Sequence, residues 1–170
     1  MSKPGPDRVD AGRLAAEQAR VVRAYPLAQF TRLADAIVNR DGVVRVDARF
    51  SEVQRRPAVD LDIEGVLSVR CQRCLGALRV PVESHVGLVF DASPERQDAS
   101  PGGDYEALPI DPHAVDLAAL VEDELLLSVP LVPLHEDCDV AGQASVAVVE
   151  AAPDEGTQRP FAGLKDLLKH

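Results

Sequence analysis

Val69-Arg70-Cys71-Gln72-Arg73-Cys74-Leu75-Gly76-Ala77-Leu78-Arg79-Val80 sets two cysteines three positions apart between two runs of alternating polarity. Before it, Val59, Leu61, Ile63, Leu67, Val69 and Cys71 share one parity, while Asp60, Asp62, Glu64, Ser68 and Arg70 hold the other. After it, Leu78, Val80, Val82, Val86, Leu88 and Phe90 repeat the pattern. A period of two marks strands with one dry face and one wet face. The two runs therefore read as a β-hairpin, with a Cys-x2-Cys pair at its tip.

Working outward, Val44, Val46, Ala48 and Phe50 alternate with Arg45, Asp47 and Arg49, which predicts a first strand. Gln54-Arg55-Arg56-Pro57 turns it into the strand over 58–70, and residues 78–90 complete an antiparallel meander. Each strand has an apolar face that helices must cover, so the fold class is α+β: an antiparallel meander of three or more strands under amphipathic helices. Residues 11–24 are Ala- and Arg-rich and predict a helix capped by Asp10. Pro26 opens a second helix, with Phe30, Leu33, Ala34 and Ile37 on one stripe. Leu108-Pro109-Ile110 suggests a short edge strand. Asp116 caps a helix over 117–128, which Pro130 ends. Its spacing places Leu117, Leu120, Val121, Leu125 and Leu127 on one side, with Glu122 and Asp123 pointing away. Glu124 falls within the apolar stripe and calls for a cationic partner, Arg70 or Arg73.

Residues 1–138 are thus expected to form a single domain, with 91–104 a mobile acidic loop. Residues 139–170 read as a flexible acidic tail with a possible strand at 145–149. It closes in a short amphipathic helix on which Phe161, Leu164, Leu167 and Leu168 share a face, able to dock or to hook a partner. Among 170 residues the net charge is −10, unevenly spread. Residues 1–90 hold 14 Lys+Arg against 11 Asp+Glu, a balance of +3; residues 91–170 hold 4 against 17, a balance of −13. Such a field disfavours unaided capture of duplex nucleic acid. Four Phe, two Tyr and no Trp leave few rings for bases to stack on. No window has the apolar length of a membrane span, and the N-terminus lacks a signal-peptide core, so a cytoplasmic protein is expected.

In that compartment three cysteines favour metal ligation or free thiols over disulfides. Cys71, Cys74, His135 and Cys138 make a set of the kind that closes around a structural zinc ion, the second pair being His-x2-Cys. The pairs stand 60 residues apart between Cys74 and His135, so only the fold can bring them together. Idle thiols beside an exposed histidine are the plain alternative. A thioredoxin-like redox use fits less well, because such thiols open a helix rather than a β-turn. There is no phosphate-binding glycine loop, nucleophile elbow or zinc-protease helix, and no enzyme is expected.

Taken together, these pieces resemble the large ribosomal RNA subunit accumulation proteins, the YceD family. The likeness rests on Cys71-Gln72-Arg73-Cys74 after an alternating strand and on the helix Asp116 to Pro130. It continues through Val132-Pro133-Leu134-His135 with Cys138 and Pro160-Phe161-Ala162-Gly163-Leu164, and covers about two-thirds of the chain from residue 58. Some members carry more cysteines after the helix than the single Cys138 here, a gap His135 can fill. The resemblance implies a non-enzymatic role in accumulation of large-subunit ribosomal RNA and in ribosome biogenesis. The acidic half suits protein contacts, with a basic ribosomal protein or a precursor large ribosomal subunit as partner. Two alternatives stand beside this: a direct RNA-binding module using the arginines of 40–79, and a thiol redox sensor.

Overall fold

A computed structural model describes residues 7–92 and 103–138 of the chain. Most of the loop expected at 91–104, and all of the tail expected at 139–170 with Phe161 and Leu164, lie outside the described residues. The chain divides into two units, residues 1–139 and 140–170, and every described element belongs to the first.

In chain order the elements are β1 (Arg8–Val9), α1 (Ala11–Ala16), β2 (Arg20–Pro26), β3 (Val43–Val53), β4 (Arg56–Arg70), β5 (Ala77–Phe90), β6 (Tyr105–Leu108), β7 (Val115–Asp116) and α2 (Leu117–Leu127). Strands β2 to β6 form one sheet in sequence order, and β1 pairs with β7 in a separate ribbon. Every neighbour in the larger sheet is antiparallel except β6, which runs parallel to β5. The expected α+β class and antiparallel meander are therefore present. Two more strands extend the meander, one on each edge.

The hairpins follow from local backbone chemistry. Between β3 and β4, Val53 pairs with Arg56 across Gln54 and Arg55, whose φ angles are 52° and 62°. Two successive left-handed residues make the primed turn whose twist matches that of the flanking strands. Between β4 and β5 the ladder runs from Ala58↔Val89 to Arg70↔Ala77, leaving the cysteine tip beyond it. One sheet face carries Val46, Phe50, Leu61, Ile63, Leu67 and Val69, all buried. Leu14 and Ala15 of α1 cover it, together with Leu117, Val121 and Leu125 of α2 and Leu27, Phe30 and Leu33 from the connection after β2.

On the opposite face Tyr105 crosses Gly87 in the neighbouring strand and donates its hydroxyl to Asp60 at 3.1 Å. A Cβ on residue 87 would lie 2.8 Å from the Tyr105 ring. The same face carries a charged row in which Val22, Asp47, Asp62 and His85 are cross-strand neighbours. Arg20 grips Asp47, while Arg49 and His85 both hold Asp62.

Four sequence expectations need correction. The helix over 11–24 stops at Ala16: Gln18 turns left-handed at φ 49°, and residues 20–26 pair with β3 instead. Here the sheet ladder overrides Ala and Arg helix propensity. The helix expected after Pro26 is two single 3-10 turns, Leu27–Gln29 and Leu33–Asp35. Of the expected stripe Phe30, Leu33 and Ile37 are buried and Ala34 is half-buried, but only Leu33 and Ala34 lie within a 3-10 turn. The edge strand lies at Tyr105–Leu108 rather than 108–110.

The fourth correction concerns α2. Asp116 caps it as expected, accepting from the Ala119 N–H at 3.2 Å. Leu127, however, is exposed and Glu122 is only 7% exposed. Dropping Leu127 turns the apolar arc by only about 20° at 100° per residue, so the bonds Glu122 makes, not the apolar spacing, bring it inward. Glu122, not Glu124, faces inward. It accepts the backbone N–H groups of Arg32 at 2.6 Å and Leu33 at 3.1 Å, and the Arg32 Nε at 3.1 Å. Glu124 meets neither Arg70 nor Arg73. The Ser84 hydroxyl donates to it at 3.4 Å, and burial pushes its carboxyl above the ordinary range against that weak hydrogen bond.

These two carboxylates should respond in opposite directions. Glu122→Ala strips acceptors from two backbone N–H groups and should cost about 2–3 kcal/mol in urea unfolding. A raised folded-state pKa means Glu124 stabilises most when protonated at low pH and loses that contribution as pH rises. Glu124→Gln should thus leave neutral-pH stability unchanged or slightly higher, with the difference shrinking in acid. Equal losses in the two variants at pH 7 would contradict this phasing of the helix.

Candidate metal centre

Six residues, Cys71 to Gly76, join β4 to β5, and their backbone folds on itself. The Cys71 N–H donates to the Gly76 carbonyl at 2.9 Å and the Leu75 N–H to the Cys71 carbonyl at 3.0 Å. Leu75 sits at φ 62°, the left-handed conformation that closes the turn. This leaves Cys71 buried and Cys74 half-buried. The second pair arrives on the segment leaving α2. Ser128 ends that helix by donating both its N–H and its hydroxyl to the Glu124 carbonyl, at 3.0 and 2.8 Å. Beyond Pro130 the chain is laid along the tip by Gln72, whose N–H donates to the Pro133 carbonyl at 2.9 Å and whose side-chain amide donates to the Leu131 carbonyl at 3.3 Å.

These contacts gather Cys71, Cys74, His135 and Cys138, with donor atoms all within 4.8 Å of one another. Cys71 Sγ lies 3.7 Å from Cys138 Sγ, and Cys74 Sγ lies 3.3 Å from His135 Nδ1. Zinc bonds of about 2.3 Å to sulfur and about 2.0–2.1 Å to nitrogen give tetrahedral edges of about 3.8 Å (S to S) and about 3.6 Å (S to N). Both observed edges are near those values. His135 Nε2 lies 3.1 Å from the Ala77 carbonyl. A carbonyl only accepts, so Nε2 carries the proton and Nδ1 offers its lone pair to the thiols. This second hydrogen bond is the kind that orients a metal-binding histidine.

Charge at the cluster is managed by the peptide backbone and by Arg73. Burial opposes ionisation of Cys71, yet N–H groups of Cys74, His135 and Arg73 and the Cys74 thiol outweigh it, lowering the Cys71 thiol to about 5. For Cys74 the Gly76 N–H favours the thiolate, but burial and the sulfurs of Cys71 and Cys138 prevail and raise it. Neighbouring thiols that share one site lose their protons one at a time. Arg73 Nε donates to Cys138 Sγ at 3.1 Å, and its NH2 donates to the His135 carbonyl at 2.7 Å. Three thiolates around a divalent ion leave one negative charge, which this guanidinium stands against.

The donor set fits zinc. Cys71, Cys74, His135 and Cys138 would hold it, supplying a closed, four-ligand cross-link between the hairpin tip and the segment after α2. Arg73, proposed from sequence as a partner of Glu124, instead contacts Cys138. Arg70 is exposed, with no ion pair among the described residues. Sequence reading missed Gln72 as the residue that seats the second pair, and Arg32 as the partner of Glu122. Gln72 occupies one of the two unspecified positions of the Cys-x2-Cys motif, and Arg32 stands in no motif.

Comparison with known proteins places this geometry in context. Residues 59–168 match the family model described as large ribosomal RNA subunit accumulation protein YceD. The chain is 31% identical over 172 residues to the protein of that name from Haemophilus influenzae, covering 95% of each. No solved structure matches it. Among the described residues, no helix is long and apolar enough to cross a membrane.

If the four residues act as one site, the purified chain should carry one zinc per molecule by elemental analysis. Cys74→Ser and Cys138→Ser should each lose most of it and lower the melting temperature together with the metal content. A wild-type chain free of zinc, and no less stable after chelation, would dismiss the site. Arg73→Ala should keep the ion but release it faster to a chelator.

Proposed function

The chain belongs to the large ribosomal RNA subunit accumulation protein family YceD, and from that membership we propose that it supports large-subunit ribosomal RNA accumulation and ribosome biogenesis without catalysing a reaction. The observation that carries this reading is the family match across residues 59–168. On this reading the protein acts by contact, its acidic half meeting a basic ribosomal protein or a precursor large subunit.

Physical features of the chain support contact over catalysis. The donor atoms of the clasp face one another, an arrangement suited to structural rather than catalytic zinc. His85 is engaged by Asp62 at 2.7 Å, and His113 by Asp10 at 3.2 Å. Direct RNA binding through the arginines of 40–79 would fall to Arg45, Arg55, Arg70 and Arg79, which are exposed without an ion pair among the described residues, because others are engaged. Arg49 is paired with Asp62, Arg56 lies buried beside Asp91, and Arg73 is committed to Cys138 and two carbonyls. Guanidiniums already matched to carboxylates release few counterions on meeting phosphate.

Deleting the gene should lower large-subunit relative to small-subunit ribosomal RNA, and restoring the wild-type chain should bring the ratio back. Cys74→Ser should restore it poorly. An unchanged ratio in the deletion would refute the proposal. Binding of the purified protein to protein-free large-subunit RNA, weakening steeply between low and physiological salt, would instead favour direct RNA contact.

A further inference from the structure

The leucines exposed among the described residues are Leu75 at the hairpin tip and Leu127, Leu131 and Leu134 at the last position of α2 and in the segment leaving it. Leu131 is 96% exposed and Leu127 78%. Leu75 and Leu131 line a single cleft of about 470 Å³ whose walls also include Val69, Val129, Pro130 and Pro133. Val132 and Leu134 continue the same stretch, both exposed. Scattered apolar residues on a surface are ordinary, but leucines gathered at a cleft mark a contact surface. Rigidity adds to this. Leu75 is held in the left-handed region, where a side chain of its size is uncommon, and prolines at 130 and 133 stiffen the stretch that presents Leu131.

We propose that this cleft beside the clasp is a docking site for a basic amphipathic helix of a partner protein. Charge selects the occupant. Glu136 and Asp137 are exposed directly after Leu134-His135, and neither carboxylate has an ion-pair partner among the described residues. They follow Pro133, which lines the cleft, by three and four residues. A second copy of the chain would bring the same uncompensated carboxylates and a net charge of −10 against itself. Arg70 lines the cleft as well, so cation capture alone is opposed there and the leucines must carry the affinity. The partner's helix would lay its apolar face into the groove, the familiar mode of helix recognition. This rests on the contact reading of the preceding subsection and specifies the surface through which it acts.

The test uses the full chain and a labelled fourteen-residue Leu/Lys peptide with helical amphipathic spacing, at physiological salt. The peptide should bind saturably, and its sequence-scrambled and Leu/Glu versions should bind at least about tenfold more weakly. Leu75→Asn with Leu131→Ser, the two leucines that line the cleft, should weaken binding at least about tenfold, with zinc content and melting temperature unchanged. Glu136→Gln with Asp137→Asn should weaken it about threefold, and Val22→Ser, exposed on the far sheet face, should have no effect. Three results would overturn the proposal: equal binding by the leucine variant, preference for a single-stranded RNA over the peptide, or a dimer that the leucine variant abolishes. In cells the leucine variant should fail to restore the ribosomal RNA ratio, and full restoration would also overturn the docking site while leaving the proposed function intact. If deletion itself leaves that ratio unchanged, the proposed function fails and the peptide results still decide the site.

Discussion

Two cysteine-bearing segments, separated by 60 residues between Cys74 and His135, must meet at the end of one β-ribbon. Bringing such distant segments together costs loop-closure entropy that grows only slowly with loop length, so a few short-range contacts can hold the junction. Gln72 supplies two of them through the carbonyls of Leu131 and Pro133, and Arg73 supplies three through Cys138, His135 and Glu136. Both residues lie between the two cysteines. The Cys-x2-Cys spacing therefore serves two purposes: it turns both sulfurs toward one point, and it presents the intervening side chains to the segment that must come to them.

The junction orders what surrounds it. With the exit of α2 anchored at the tip, the helix lies where Glu122 reaches the 3-10 turns that follow β2. One carboxylate there accepts two backbone N–H groups that would otherwise be buried without acceptors. Because its partners are backbone N–H groups, losing this carboxylate leaves them without their acceptor and is costly. Its value is to fix how the helix sits against the connection.

The central ribbon was legible in the sequence because β4 and β5 each pack one face on the core, and a period of two survives there without ambiguity. Residues 20–26 were not legible as a strand. Val21-Val22-Arg23-Ala24 shows no alternation, and pairing with β3 decides its state. The same limit applied to α2, where the apolar spacing favours Glu124 and only the backbone N–H groups of Arg32 and Leu33 draw Glu122 inward. The four clustered donors stood out by residue type and spacing alone. The residues that seat them, Gln72 and Arg73, are ordinary polar residues whose role exists only once the fold brings carbonyls and a thiol within reach.

Tyr105 lying flat across Gly87 ties the fates of two positions on neighbouring strands. With the ring in place, any side chain at 87 collides with it, so a mutation there is penalised whatever its polarity. With the ring gone, Asp60 loses the hydroxyl that reaches it and the closest contact at 87 is relieved, leaving the Asp104 carbonyl at 3.2 Å. Substitutions at the two positions are thus epistatic: a change at 87 becomes tolerable only in a background already altered at 105. Divergence along this edge of the sheet should proceed in that order, with the tyrosine yielding before the glycine.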